Sequence, residues 1–240
     1  MFSMKITFIG SSHGVPEPNR RCACALVEAA GRHYFVDMGT MAVDALRMKG
    51  IAPKAIQGIF ITHMHGDHTD GLVQFVDLCS WYFKEADPVI CVPKIEFVDA
   101  LRHWLNVTGV PMRDFEFRDA LSGVIYDDGV LKVTSFPTQH CEKSRALLVE
   151  AEGKAVLFTG DLKNPQVDLP EIVKEMPLDL FICECAHFPA TDYTLALEGS
   201  HIKKICMTHY SPRYSPTIPG FTEKLTTPFV LATDGLELNV

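Results

Sequence analysis

The chain has 240 residues, of which 47% are hydrophobic and 22% charged, with a formal net charge of −8. That apolar content builds a sizeable core and excludes a disordered chain. The acidic balance speaks against broad affinity for a nucleic-acid backbone, which calls for a basic surface, and leaves room only for a local basic patch inside a site.

At roughly 100–200 residues per domain the length admits one large domain or two small ones. No composition shift marks a linker, so residues 1–240 read as one domain. Met1–Gly10 is too short and too interrupted for a secretion signal and has no cleavage region. No stretch approaches the ~18 apolar residues of a membrane span. The expected setting is therefore cytoplasmic.

In chain order, Lys5–Gly10, Ala25–Ala30 and His33–Asp37 read as strands, the last two joined at Gly31 as a hairpin. Thr40 stands as the cap of a helix running to Lys49, with Gly50 as its stop. Ile56–Thr62 is the next strand. A polar cluster follows it, then a mostly buried helix over Leu72–Phe83. Val89–Val92 is a strand, and Ile95, Val98, Leu101 and Leu105 form a helical stripe ending near Asn106.

Gly129–Phe136, Ala146–Glu150, Ala155–Thr159, Leu178–Cys183 and Lys204–Thr208 are further strands, with Gly153 at a turn. Residues 211–220 form a Pro-rich loop. Strands interleaved with helices predict a layered α/β or α+β domain. The eight cysteines, mostly in apolar context, read as free thiols because no secretion signal accompanies them.

The strongest chemical signal is Thr62-His63-Met64-His65-Gly66-Asp67-His68-Thr69-Asp70-Gly71. Three histidines and an aspartate fall within six residues, 63–68, at the end of a predicted strand. Imidazole and carboxylate are the usual ligands of zinc and its neighbours. Gly66 is expected to let the backbone turn tightly enough to aim these side chains inward. A solvated polar turn would need no such spacing.

The pattern His63-x-His65-x-Asp67-His68-x-x-Gly71 resembles the signature of the metallo-β-lactamase superfamily. Three further ligands that the family needs follow later strands: His140 in Pro-Thr-Gln-His, Asp161 in Phe-Thr-Gly-Asp and His209 in Met-Thr-His-Tyr. The resemblance runs from about Lys5 to His209. It implies an α+β fold, the four-layer αββα sandwich, with two divalent metal ions at one edge between the sheets. His63, His65 and His140 would hold the first ion, and Asp67, His68 and His209 the second. Asp161 would bridge them, a carboxylate suiting two cations ~3.5–4 Å apart. Zinc is the expected metal, and manganese or iron would accept the same donors.

Gly10-Ser11-Ser12-His13-Gly14-Val15-Pro16 and Thr208-His209-Tyr210-Ser211-Pro212-Arg213-Tyr214 resemble ribonuclease Z and its smaller phosphodiesterase relatives. The long tRNA-gripping arm of ribonuclease Z has no counterpart between His140 and Asp161. The small phosphodiesterase of the carbon–phosphorus lyase pathway is similar in outline. That relative binds a structural zinc through cysteines near its N-terminus. Cys22-Ala23-Cys24 occupies the comparable region without the third cysteine, with Leu26 nearby. Two ligands do not make a zinc site, so ordinary thiols are the favoured reading over a third metal.

His187, just past a predicted strand, matches a non-ligand histidine of ribonuclease Z, which implies a general acid or a phosphate contact. Asp67 could orient the nucleophile or accept its proton. His13 lies in the first loop, as either a site contact or a turn residue. His33, His103 and His201 read as structural or solvated, Arg20 and Arg21 as surface residues with contact to an anionic substrate as the alternative, while Arg213 supports the loop after His209. The expected activity is a phosphodiesterase acting on a small or cyclic phosphodiester through a metal-bridging hydroxide. No stable nucleic-acid complex and no membrane partner are expected. Lactone or thioester hydrolysis is the alternative, and a non-catalytic metal-dependent binding module a third reading. The full ligand set speaks against that third reading.

Overall fold

The computed structural model describes residues 4–240; residues 1–3, the start of the segment read as lacking a leader, lie outside the described residues. The first sheet holds β1 (Lys5–Gly10), β2 (Cys24–Ala29), β3 (Arg32–Met38), β4 (Ile56–Phe60), β5 (Val89–Val92), β6 (Phe117–Asp119) and β14 (Glu237–Asn239). Its spatial order is β14-β1-β2-β3-β4-β5-β6. The second holds β7 (Gly123–Asp127), β8 (Leu131–Pro137), β9 (Arg145–Ala151), β10 (Lys154–Phe158), β11 (Leu180–Cys185), β12 (Ile205–Tyr210) and β13 (Phe229–Leu231), in the order β13-β12-β11-β10-β9-β8-β7.

Each sheet is antiparallel on one side and parallel on the other. In the first, β14, β1, β2 and β3 pair antiparallel, while β3, β4, β5 and β6 pair parallel. In the second, β7 to β10 pair antiparallel and β10 to β13 parallel. The carboxyl ends of parallel strands are where side chains from several loops can meet in one crevice.

Both faces of each sheet are apolar, because successive side chains on a strand point opposite ways. In β3, Tyr34 and Val36 join the core between the sheets, with Phe8, Val133, Val149, Phe158 and Ile182. Phe35 faces the other way, against α1 (Ala42–Met48), α2 (Gly66–Trp81) and α3 (Phe97–Val107), through Leu46, Leu72, Phe75 and Leu101. The outer face of the second sheet, with Leu157, Phe181 and Met207, packs on Val173, Tyr193 and Phe221. These belong to the short helices α5 (Ile172–Glu175), α6 (Tyr193–Ala196) and α7 (Ile218–Thr222), next to α4 (Pro165–Asp168). The layers are helix, sheet, sheet, helix, as the αββα expectation had it.

Several local expectations are corrected. The second helix begins at Gly66, six residues before Leu72, so Asp67 and His68 occupy its first turn. Gly66 is absent from the left-handed positions and simply opens the helix. Helix α1 follows Met41 without a side-chain cap, so Thr40 does not cap it. The segment 211–220 contains a single-turn helix at Ser215–Thr217 and the start of α7 rather than an open loop.

Two glycines are required by close packing between β3 and α2. A Cβ on Gly39 would land on the Asp67 carbonyl, and one on Gly71 on the Thr40 carbonyl. The segment after β3 therefore lies directly against the first turns of α2 and fixes where Asp67 and His68 point.

Candidate metal centre

Strand β4 delivers Thr62 and His63 to the rim of the first sheet, and α2 starts three residues later. Asp37, at the end of β3, holds this corner. Its Oδ1 accepts from the Thr62 amide at 2.8 Å and from Thr62 Oγ1 at 3.0 Å, and its Oδ2 lies 2.8 Å from His68 Nδ1. Asp37 pays for this with a left-handed backbone, φ 55°. A carboxylate on the far nitrogen of a ligand histidine fixes the ring and its tautomer.

The structure brings the seven proposed ligands together in two groups that share one edge. His63 Nε2 lies 3.0 Å from His65 Nδ1, which lies 3.2 Å from His140 Nε2. His68 Nε2 lies 3.4 Å from Asp67 Oδ2, and His209 Nε2 lies 3.7 Å from the same oxygen. Asp161, at the end of β10, sits between the groups. Its Oδ2 is 3.7 Å from both His63 Nε2 and His140 Nε2 and 3.3 Å from His209 Nε2, and its Oδ1 is 3.5 Å from His68 Nε2.

The electrostatics favour cations here. Asp37, Asp161 and Glu184 are all buried, and among the described residues no lysine or arginine pairs with them. Burial pushes His63 down to about 2, reinforced by the neighbouring His68 charge, and burial takes His140 down to about 4. Both rings are neutral and offer a lone pair. Burial works against ionised Asp67, but the adjacent His68 and His209 outweigh it and hold the carboxyl at about 2. Burial likewise opposes charge on Asp161, and His209 and His68 hold it well below the usual carboxylate range. His68 Nε2 and Asp161 Oδ1 are buried without a hydrogen-bond partner. Orphaned donor atoms of this kind, converging from histidine and carboxylate, fit a pair of divalent ions.

His187 stands at the open side of the site, with its Nε2 3.8 Å from Asp161 Oδ2 and its side chain 35% exposed. Its Nδ1 lies 2.9 Å from Glu184 Oε1. Burial works against its charge, but the Glu184 hydrogen bond and the nearby carboxylates outweigh this and raise it to about 9. Glu184 also accepts from the amides of Leu162, Ala186 and His187, and so anchors the loop after Asp161. A third carboxylate, Asp168, accepts from the amides of Gln139, Lys163 and Asn164, which neighbour His140 and Asp161.

Sequence reasoning missed Asp37, Glu184 and Asp168. The available signal for the first two was a lone acid at the tip of an apolar strand, Phe35-Val36-Asp37 and Ile182-Cys183-Glu184-Cys185. His13 pairs with Glu17 at 2.9 Å, and a Cβ added at the following Gly14 would lie 3.5 Å from Asp67 Oδ2. Arg20 is no solvated surface residue: it donates to the Ser11 and Tyr210 carbonyls and lies 3.8 Å over the Tyr210 ring. Arg213 stacks on Tyr214. Cys22 and Cys24 join no group of three or more candidate ligands among the described residues, and burial pushes both thiols up.

Two stacked sheets, outer helices and paired His/Asp clusters at the sheet edge define the metallo-β-lactamase fold. The solved human tRNase Z, short form (ELAC1), superposes with a TM-score of 0.79 at 18% identity, covering 98% of this chain and 99% of the other. A diphosphatase from the PhnP family superposes with a TM-score of 0.72 at 19% identity, covering 99% and 98%. Within this class, the family described as anti-Pycsar protein Apyc1 matches residues 4–230, and the chain belongs to that family. Ribonuclease Z of Methanothermobacter thermautotrophicus is 27% identical over 139 residues, 57% of this chain and 45% of the relative. Ribonuclease BN of Cronobacter sakazakii is 30% identical over 157 residues, 63% and 51%. In both alignments the chain spans about half of the relative's length. No helix among the described residues is long and apolar enough to cross a membrane.

Proposed function

We propose that this protein is a dinuclear metal-dependent phosphodiesterase acting on small or cyclic phosphodiesters, with zinc as its metal. The observation that carries the reading is Asp161 lying between two ligand clusters with His187 beside it. His63, His65 and His140 would hold one ion, Asp67, His68 and His209 the other, and Asp161 would contact both. When bound, such ions supply Lewis acidity, activating water as a nucleophile and offsetting charge on phosphoryl oxygens.

The chain's own groups do the rest. Asp67 orients the attacking water or accepts its proton. His187 donates a proton from Nε2 to the leaving oxygen, while Glu184 keeps its Nδ1 engaged. General acid catalysis of this kind is typically worth ~10²–10⁴-fold. Small substrates are favoured because residues 138–144, the link between β8 and β9, are too few for a substrate-gripping arm. The net charge of −8 also works against a long phosphate backbone.

The test is turnover by metal-defined protein across a phosphodiester panel that includes cyclic nucleotides, with a lactone and a thioester run alongside. Phosphodiester hydrolysis that dominates the panel supports the reading. Faster lactone or thioester hydrolysis replaces it.

A further inference from the structure

We propose that Asp234 is a positioning residue for His209, and through it for the second ion; this rests on the two-ion reading above. Asp234 lies in the connection from β13 to β14, where the chain leaves the second sheet and returns to the first. Its carboxylate gathers three donors from the segment after β1. Oδ1 accepts from the Ser11 amide at 3.0 Å and from Ser11 Oγ at 2.8 Å, and Oδ2 accepts from the Arg21 amide at 2.8 Å. Ser11 is fully buried and held on both its amide and its hydroxyl. Its carbonyl is thereby aimed, and it accepts from the His209 amide at 2.9 Å.

His209 depends on that backbone contact more than His68 or His187 depends on its own. The His68 ring is oriented by Asp37 on its far nitrogen, and the His187 ring by Glu184. His209 Nδ1 is buried and has no such partner among the described residues. Its backbone also sits at φ 47°, in the left-handed region that a side chain disfavours. With no side-chain orienter and a disfavoured backbone, the direction of the imidazole is set by the main chain. The main chain is held by Ser11, and Ser11 by Asp234. Arg20 reinforces the same joint by donating to the Ser11 carbonyl at 3.3 Å and the Tyr210 carbonyl at 3.2 Å. Asp234 thus acts on the ion at two removes, through hydrogen bonds that join both sheets.

The experiment titrates zinc into metal-free full-length chain, with a chelating dye as competitor, for wild type, Asp234→Ala, Asp234→Asn, His209→Ala and the Asp234→Ala/His209→Ala pair. Loss of a group that orients a metal ligand typically costs about 10–100-fold in affinity. Asp234→Ala is expected to weaken one ion by that amount and leave the other within about threefold. Asp234→Asn, which keeps one acceptor oxygen, is expected to fall between wild type and Asp234→Ala. The double variant should bind no worse than His209→Ala alone, since both substitutions act on one ion. Equal weakening of both ions, or additive losses in the double variant, overturns the inference in favour of a general structural role. Unchanged affinities in both Asp234 variants also overturn it. If Asp234→Ala does not fold, Asp234→Asn decides on the same criteria. Wild type that takes up fewer than two ions overturns the two-ion reading itself, and the inference with it.

Discussion

His187 Nδ1 lies 2.9 Å from Glu184 Oε1, so one nitrogen of the ring is committed to a buried carboxylate while the other faces the open side of the site. A proton donor held this way matters in proportion to the basicity of the leaving oxygen. Nitrophenolate departs readily as an anion, whereas a ribosyl or alkyl oxide does not. His187→Ala should barely change turnover of bis-nitrophenyl phosphate and should slow a phosphodiester with an alkyl or ribosyl leaving group by ~10²–10⁴-fold. Metal content should be unchanged. Equal slowing of both substrates would assign His187 to binding, and loss of metal would make it a ligand.

Elemental analysis of reconstituted protein should give close to two ions per chain. Asp161→Ala should lose both, because its two oxygens reach donors of both clusters. Ions that bind only the folded state add about 4 kcal/mol each at a thousandfold excess over Kd. Chelation should therefore lower the melting temperature by roughly 20 °C in calorimetry, given about 2–4 °C per kcal/mol at this size. Full occupancy in Asp161→Ala would remove its bridging role.

Precursor tRNA should be cleaved poorly at physiological salt, although proteins named ribonuclease Z align with this chain. The net charge is −8, and only residues 138–144 join β8 to β9. Efficient release of a 3′ trailer in a gel assay would overturn this expectation.

Asp128 should contribute an acid-sensitive part of the stability. Burial opposes its ionisation, but hydrogen bonds from the Leu131 amide, Tyr34, the Val130 amide and Arg32 outweigh this and bring it from an ordinary 3.8 to about 2. A carboxyl depressed in the folded state stabilises above its unfolded value and loses that contribution as pH falls through the folded one. Melting temperatures of metal-free wild type and Asp128→Asn should differ at pH 5, converge below pH 4 and meet near pH 2. A gap that persists at pH 2 would show that the loss lies in packing and hydrogen bonding rather than in charge.

The clustered histidines and aspartates were readable in advance because His63, His65, Asp67 and His68 lie in one run, and His140, Asp161 and His209 each follow an apolar strand. The carboxylates that steady them were not. Glu184 and Asp168 act largely on backbone amides, and Asp37 on Thr62 and His68, 25 and 31 residues away; neither leaves a mark on residue spacing. The start of α2 was hidden for a related reason: its first turn carries polar site residues, so apolar periodicity appears only from Leu72. Strands β6, β7, β13 and β14 escaped as short elements near the sheet margins; Gly123–Asp127 leaves three of its five residues exposed. Arg20 read as surface because its partners, Ser11 and Tyr210, lie 9 and 190 residues away.

The pairing of β1 with β14 joins Lys5 to Asn239, which ties the order of synthesis to the order of assembly. A chain made from its N-terminus at about 5–20 residues per second leaves the outer edge of β1 unpaired for roughly 10–50 s. Through that interval the edge offers open backbone donors and acceptors to any passing strand. His209 and Asp234 are made after the other site residues, so dissolved ions find a complete binding site only once both have emerged. Through that interval the open edge is carried without the stabilisation that bound ions would add, so metal supply cannot shorten it.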